Sequence, residues 1–187
     1  MNRRFTLVQA LLIGFALGSS AQDTAPFPDP PKDVSSTAIL ANGQEPGKRL
    51  SIHGTVYRAD STTPYEHLVI YIYQTDASGV YNQKNRSWRE PRLRGWVKTG
   101  AGGKYEIQTI KPGSYPGSRN PAHIHAIIKL PGRPPQWIDD YLFDGDPFLT
   151  DEQRQQPQRE GRFSNVMKLT QASDGRLVAT RDIVIED

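Results

Sequence analysis

The chain has 187 residues with a formal charge of +3, and it contains no cysteine. That length admits one ordinary domain plus a targeting segment. The missing thiols exclude a disulfide scaffold and any thiolate-held metal, leaving nitrogen and oxygen ligands that suit a hard or borderline ion.

The N-terminus reads as a secretory signal peptide over residues 1–21. Arg3 and Arg4 supply the basic start, Phe5 to Gly18 the apolar run, and Ser19, Ser20 and Ala21 a small-residue cleavage site before Gln22. The run is too short to span a bilayer, which takes roughly 20 apolar residues. Export to a periplasm or out of the cell is therefore expected. Removing the leader takes away its two arginines and no acid, so the charge falls from +3 to about +1. A general role on nucleic acid or on a membrane surface loses its support.

Residues 22–48 are rich in Pro, Ser, Gly and Asp, with Pro26, Pro28, Pro30 and Pro31 crowding the start. Without a periodic apolar pattern, this segment reads as a linker or a loosely wrapped arm. From 49 to 187, short runs of β-branched and aromatic residues alternate with turn signals. The expected strands are Leu50–Tyr57, His67–Gln74, Gly95–Thr99, Lys104–Thr109, Ala122–Leu130, Gln136–Phe143, Asn165–Leu169 and Leu177–Ile185. Leu50, Ile52 and Val56 share one strand face, and Leu68, Ile70 and Ile72 another. The glycine-rich stretch from Lys98 to Lys104 reads as a hairpin turn between two strands. Thr150–Gln156 reads as a helix, with Thr150 as N-cap and Gln153 completing a capping box. Eight short strands and one short helix predict an all-β fold, a two-sheet β-sandwich.

Two of the four histidines lie in Pro121-Ala122-His123-Ile124-His125, and strand alternation puts His123 and His125 on one face. Alone, such a pair also fits exposed or packed strand histidines. Just upstream, Tyr115 sits in the constrained turn Pro112-Gly113-Ser114-Tyr115-Pro116. Tyr81 ends Asp76-Ala77-Ser78-Gly79-Val80-Tyr81, which by itself reads as an aromatic capping a hairpin end. Together, two phenols and two imidazoles have a specific meaning. A strongly charged cation deprotonates a coordinated phenol, and two phenolates favour ferric over ferrous iron. Such a site binds a catechol through its oxygens and acts as Lewis acid and template.

These motifs occur with Leu50-Ser51-Ile52-His53-Gly54-Thr55-Val56, Val69-Ile70-Tyr71-Ile72-Tyr73, Arg94-Gly95-Trp96 and Gly103-Lys104-Tyr105. The turn Thr109-Ile110-Lys111-Pro112-Gly113-Ser114-Tyr115-Pro116 and the stretch Phe143-Asp144-Gly145-Asp146 belong to the same series. In this order the sequence resembles the intradiol ring-cleavage dioxygenases, the group that includes protocatechuate and catechol dioxygenases. The resemblance runs from about Arg49 to Asp146. It implies four ferric iron ligands: Tyr81 as the first, equatorial tyrosine, Tyr115 as the axial one, and His123 and His125. The axial tyrosine of this family yields its place to the catechol and takes up a substrate proton, so Tyr115 is also a catalytic candidate. The resemblance further implies a β-sandwich with the site on one rim, a small catechol-type substrate with dioxygen, and no flavin, nicotinamide or external reductant.

Two positions depart from the family pattern. An arginine is common three residues before the first ligand histidine, where it stabilises the carbanion-like substrate; here that residue is Asn120, and Arg119 is the candidate for the role. A pocket glutamine is matched by Asp140. Arg86, Arg89, Arg92 and Arg94 cluster around Trp88 and Trp96, reading either as a solvated loop or as a cationic pocket wall. His53 and His67 have no partner motif and read as structural. Two rival readings remain: a non-enzymatic transthyretin-like or carboxypeptidase-regulatory-like binding module, and a metal-binding protein without turnover. The first requires Tyr81 to lie beyond metal-sharing reach of the histidines, about 4–5 Å between donors.

Overall fold

A computed structural model describes residues 27–155 and 161–186. The expected signal peptide lies outside the described residues. The strands are β1 (Thr37–Ile39), β2 (Arg49–Arg58), β3 (Val69–Gln74), β4 (Leu93–Lys98), β5 (Lys104–Ile110) and β6 (His123–Ile128). They continue with β7 (Gln136–Phe143), β8 (Val166–Met167), β9 (Thr170–Gln171), β10 (Leu177–Thr180) and β11 (Ile183–Ile185). One sheet runs β1-β5-β2-β10-β9, with β11 also on β2; the other runs β4-β3-β6-β7-β8. The fold is therefore the all-β, two-sheet arrangement that the strand pattern predicts.

Apolar residues at every second position close the sandwich. Leu50, Ile52 and Val56 of β2 and Ile107 of β5 meet Ile70 and Ile72 of β3 and Ile124, Ala126 and Ile128 of β6, all essentially without solvent exposure. Burying a side chain of this size contributes about 1.5–3 kcal/mol, so this layer dominates the stability. Helix α1 (Asp151–Arg154) has the expected capping box: Gln153 N donates to Thr150 Oγ1 at 3.2 Å, and Thr150 N donates to Gln153 Oε1 at 3.0 Å.

Four expectations change in the structure. Within the expected arm, β1 pairs in parallel with β5, burying Ala38, while the adjoining Leu40 is also buried. The glycine-rich stretch after Lys98 is a crossover between the sheets and not a hairpin. Thr99 holds the end of β4 to the second sheet, its N–H donating to Leu68 O at 3.0 Å and its Oγ1 accepting from Leu68 N at 2.9 Å. Gly102 and Gly103, both at positive φ, then swing the chain into the first sheet. The strand expected over Asn165–Leu169 shrinks to β8. The strand expected over Leu177–Ile185 breaks at Arg181 and Asp182, while both halves keep one register on β2. At the break, Asp182 Oδ1 accepts from Thr55 N at 2.9 Å, and Arg181 O approaches Gly54 so closely that a Cβ there would lie 1.8 Å from it.

Candidate metal centre and active site

The face of the second sheet turned away from the main core is aromatic. Tyr71, Tyr73 and Ile127 are buried there beneath Phe27, Tyr81 and Trp96. His123 and His125 of β6 project on this same face, because Ile124 and Ala126 between and beyond them point into the core. The site thus lies on the outer face of one sheet, under two loops, and not on the rim between the sheets.

Those loops carry the tyrosines and are laced to each other. Asp76 Oδ1 accepts from Ser78 N at 2.9 Å, Ser78 Oγ at 2.7 Å and Val80 N at 3.2 Å, while its Oδ2 accepts from Gln83 Nε2 at 2.6 Å. Its backbone carbonyl accepts from Gly113 N at 2.9 Å, and Thr75 Oγ1 donates to Gly113 O at 2.9 Å. Gly79 has φ +81, and a Cβ there would lie 1.9 Å from Ser114 O, so the two loops meet backbone to backbone. Buried Gln74 ties the same end of the sandwich together, its Nε2 donating to Ile110 O at 3.0 Å and its Oε1 accepting from Thr109 Oγ1 at 2.9 Å. From the other side, Asp146 Oδ2 accepts from Ala122 N at 3.1 Å and steadies the start of β6.

This scaffold brings Tyr81, Tyr115, His123 and His125 into one cluster. Tyr81 Oη is 2.8 Å from His125 Nε2, and Tyr115 Oη is 2.8 Å from His123 Nε2 and 3.3 Å from His125 Nε2. The two phenolic oxygens are in hydrogen-bond contact, and the two Nε2 atoms are 3.1 Å apart. Each histidine's Nδ1 faces a group that only accepts: Pro121 O at 2.7 Å for His123 and Asp140 Oδ1 at 2.7 Å for His125. Both Nδ1 atoms therefore hold the proton, and both Nε2 lone pairs face the tyrosines.

Burial pushes the Tyr81 phenol far above its ordinary range, and the hydrogen bond to Tyr115 pushes it further. Burial also raises Tyr115, and raises neighbouring Tyr73 to about 12. Burial lowers His123, with His125 beside it acting in the same direction. Converging imidazole nitrogens, next to phenols that ionise only under a strong positive field, fit a cation better than they fit each other. In particular, two Nε2 lone pairs 3.1 Å apart have no proton to share. The donor set is two nitrogens and two oxygens, which suits a hard or borderline ion.

Asp140 is near enough to count among possible ligands, since it, His123 and His125 each offer an atom within 4.8 Å of the others. Its carboxylate, however, is spent on the far nitrogen of His125. It reaches that place through an irregularity in β7. Ile124 pairs with Tyr141 but Ala126 pairs with Ile138, so Asp139 and Asp140 together oppose His125. This bulge lets Ile138 and Tyr141, three residues apart, both face the core while Asp140 faces the site. The bulged carbonyls are met by side chains from elsewhere: Arg181 Nη2 donates to Asp139 O at 2.6 Å and Asn165 Nδ2 to Asp140 O at 3.1 Å. Arg181 is buried with its guanidinium 3.9 Å from the centre of the Tyr141 ring. Nothing in the local sequence around Arg181 signals this role.

Arg119 is not brought to the cluster: it is exposed, with its guanidinium 5.9 Å from the centre of the Phe148 ring. The arginine cluster is split. Arg86 and Trp88 line the cavity over the site, whereas Arg92 pairs with Glu45 at 2.5 Å and Arg94 donates to Pro91 O at 2.5 Å. His53 lies on β2, paired opposite Glu106 and Thr180 and away from the cluster.

Known proteins resemble this chain in sequence and in fold. The family model described as "Dioxygenase" matches residues 29–186. Catechol 1,2-dioxygenase 2 of Acinetobacter lwoffii is 27% identical over 131 residues, covering 62% of this chain and 47% of that protein. The protocatechuate 3,4-dioxygenase beta chain of Burkholderia cepacia is 28% identical over 139 residues, covering 69% and 57%. The chain thus spans about half the length of the curated relatives it matches. Among solved structures, the dioxygenase domain of a dioxygenase–carbohydrate-binding fusion from Streptomyces sp. SirexAA-E superposes with a TM-score of 0.61 at 25% identity. It covers 87% of this chain and 96% of that one.

Proposed function

Because the chain belongs to the intradiol dioxygenase family, we propose that it opens a catechol-type ring between its two hydroxyl-bearing carbons. Both atoms of dioxygen enter the product, a muconate-type dicarboxylate. The observation that carries this reading is the convergence of Tyr81 Oη, Tyr115 Oη, His123 Nε2 and His125 Nε2, each within hydrogen-bond distance of at least two of the others.

Tyr81, Tyr115, His123 and His125 would hold ferric iron. Such an ion would supply Lewis-acid chemistry, activating a bound catecholate toward dioxygen. The remaining work falls to the chain. Pro121 O and Asp140 hold the two imidazoles with Nε2 toward the metal position. The buried aromatic floor of Tyr73 beneath His125 keeps water from that side. Tyr115, as phenolate, accepts the proton of a catechol hydroxyl at its Oη.

The same reading extends to location. The basic start, apolar run and small-residue site of residues 1–21 support export to a periplasm or the medium, checked by finding Gln22 as the N-terminus of the secreted protein.

The deciding experiment is an absorption spectrum of the purified protein with its iron content, before and after anaerobic catechol, followed by oxygen uptake. The expected outcome is one iron per chain and a visible tyrosinate band. That band shifts with catechol and is weakened in Tyr81→Phe. A colourless protein that takes up no iron sinks the proposal and leaves the binding module. The exposed position of Arg119 favours one second reading, a metal-binding protein without turnover. In that case the band shifts but no oxygen is consumed.

A further inference from the structure

Tyr81, Tyr115 and His125 form only part of the lining of a cavity of about 870 Å³. A cavity of roughly 150 Å³ is enough to hold one benzene ring. A simple catechol placed at the cluster would therefore leave most of the space unfilled.

The rest of the wall has a definite character. Trp88, Trp137 and Tyr73 line it with Arg86. Trp137 is 41% exposed, one of two large apolar residues left open among the described residues. It is nonetheless held in place, with its Nε1 donating to Tyr73 Oη at 3.4 Å. The β7 bulge puts Trp137 on the same side as Asp140, next to the site. This indole leaves apolar surface open beside the cluster among the described residues, and aromatic faces of this kind bind other rings by offset or edge contacts. Arg86 sits at φ +55, with its N–H donating to Asn82 O at 2.7 Å, so a tight turn holds it at the wall. A guanidinium stacks on an aromatic ring and donates to its oxygen substituents.

From this wall we propose that the site takes a catechol bearing a second aromatic ring. The dihydroxy ring lies on the tyrosine–histidine cluster, and the second ring lies against Trp137 with Arg86 and Trp88 around it. This rests on the ring-cleavage reading and adds its substrate class.

The test is anaerobic titration of the iron-loaded protein with catechol, 4-tert-butylcatechol and 4-phenylcatechol, following both the visible band and tryptophan fluorescence. 4-Phenylcatechol is expected to bind at least about tenfold more tightly than catechol, the scale of one aromatic pair together with the area it buries. It should also bind more tightly than the tert-butyl compound. The phenyl-to-catechol ratio should fall toward one in Trp137→Ala and recover in Trp137→Phe. Equal affinity for the three compounds, or a ratio that Trp137→Ala leaves unchanged, overturns this proposal alone. If iron is bound and neither catechol nor 4-phenylcatechol shifts the band, the ring-cleavage reading falls and takes this one with it.

Discussion

Asp140 Oδ1 lies 2.7 Å from Nδ1 of His125, a residue 15 positions earlier on the neighbouring strand. The carboxylate accepts a hydrogen bond from the Nδ1–H and leaves Nε2 facing Tyr81. A glutamine in this place would offer a neutral acceptor. The carboxylate makes the imidazole a more basic ligand, as such outer partners do in metal sites.

Asp140→Asn should therefore weaken metal binding by about 10–100-fold, the usual cost of losing such a partner. The carboxylate is partly exposed, so the thermal midpoint should hardly move. Metal titration against a competing chelator, with a melting curve on the same sample, checks both.

Arg181 acts on the same bulge from behind, through Asp139 O. Arg181→Met removes the hydrogen bond from Arg181 Nη2 to the part-buried Asp139 O, and losing a hydrogen bond from a charged donor costs about 1.5–3 kcal/mol. Urea unfolding should register that loss. Metal affinity should fall as well, although no ligand has been changed. Asn165→Leu, which strips the neighbouring Asp140 O, should move affinity in the same direction.

Gly79 separates backbone strain from collision. Gly79→Ala places a methyl 1.9 Å from Ser114 O at φ +81, whereas Gly117→Ala at φ +74 meets nothing within 4 Å. The second should cost only the left-handed penalty of about 1–2 kcal/mol. The first should cost more, displace the turn bearing Tyr115, and reduce iron uptake. Paired melting curves and iron analysis of the two variants test the contrast.

Asp76 supplies the pH dependence. Burial pushes its carboxyl up, but hydrogen bonds from Ser78, Gln83 and the Val80 N–H outweigh it and hold the group below its ordinary 3.8. A depressed carboxylate stabilises the fold fully above the ordinary value, and that contribution is lost as pH falls through the folded value. Asp76→Asn should thus destabilise the protein at pH 7 and lose part of that effect at pH 3, below the ordinary 3.8. Denaturant midpoints at the two pH values decide the matter.

Much of this was legible in the linear order of residues. Period-two patterns located β2 and β3 closely, β-branched and aromatic content located β7, and the capping box located α1 with its N-cap. Strand alternation alone put His123 and His125 on one face, and the two tyrosine-bearing turns marked the other members of the cluster. The edge strand β1 was hidden, because three residues among prolines and serines carry no period to read. The break at Arg181 was hidden too, since Leu177–Ile185 keeps its apolar content on both sides.

What the sequence by itself determined were the local properties: strand periodicity, turn chemistry at Gly79 and Gly113, and a nitrogen–oxygen donor set forced by the lack of cysteine. Only the tertiary structure decided which face bears the site, that the Lys98–Lys104 stretch crosses between sheets, and that Arg86 and not Arg119 lines the cavity. The difference is physical. Alternation and turn preference act over a few residues, whereas register, the β7 bulge and the reach of Arg181 to Asp139 are settled by packing between segments far apart in the chain.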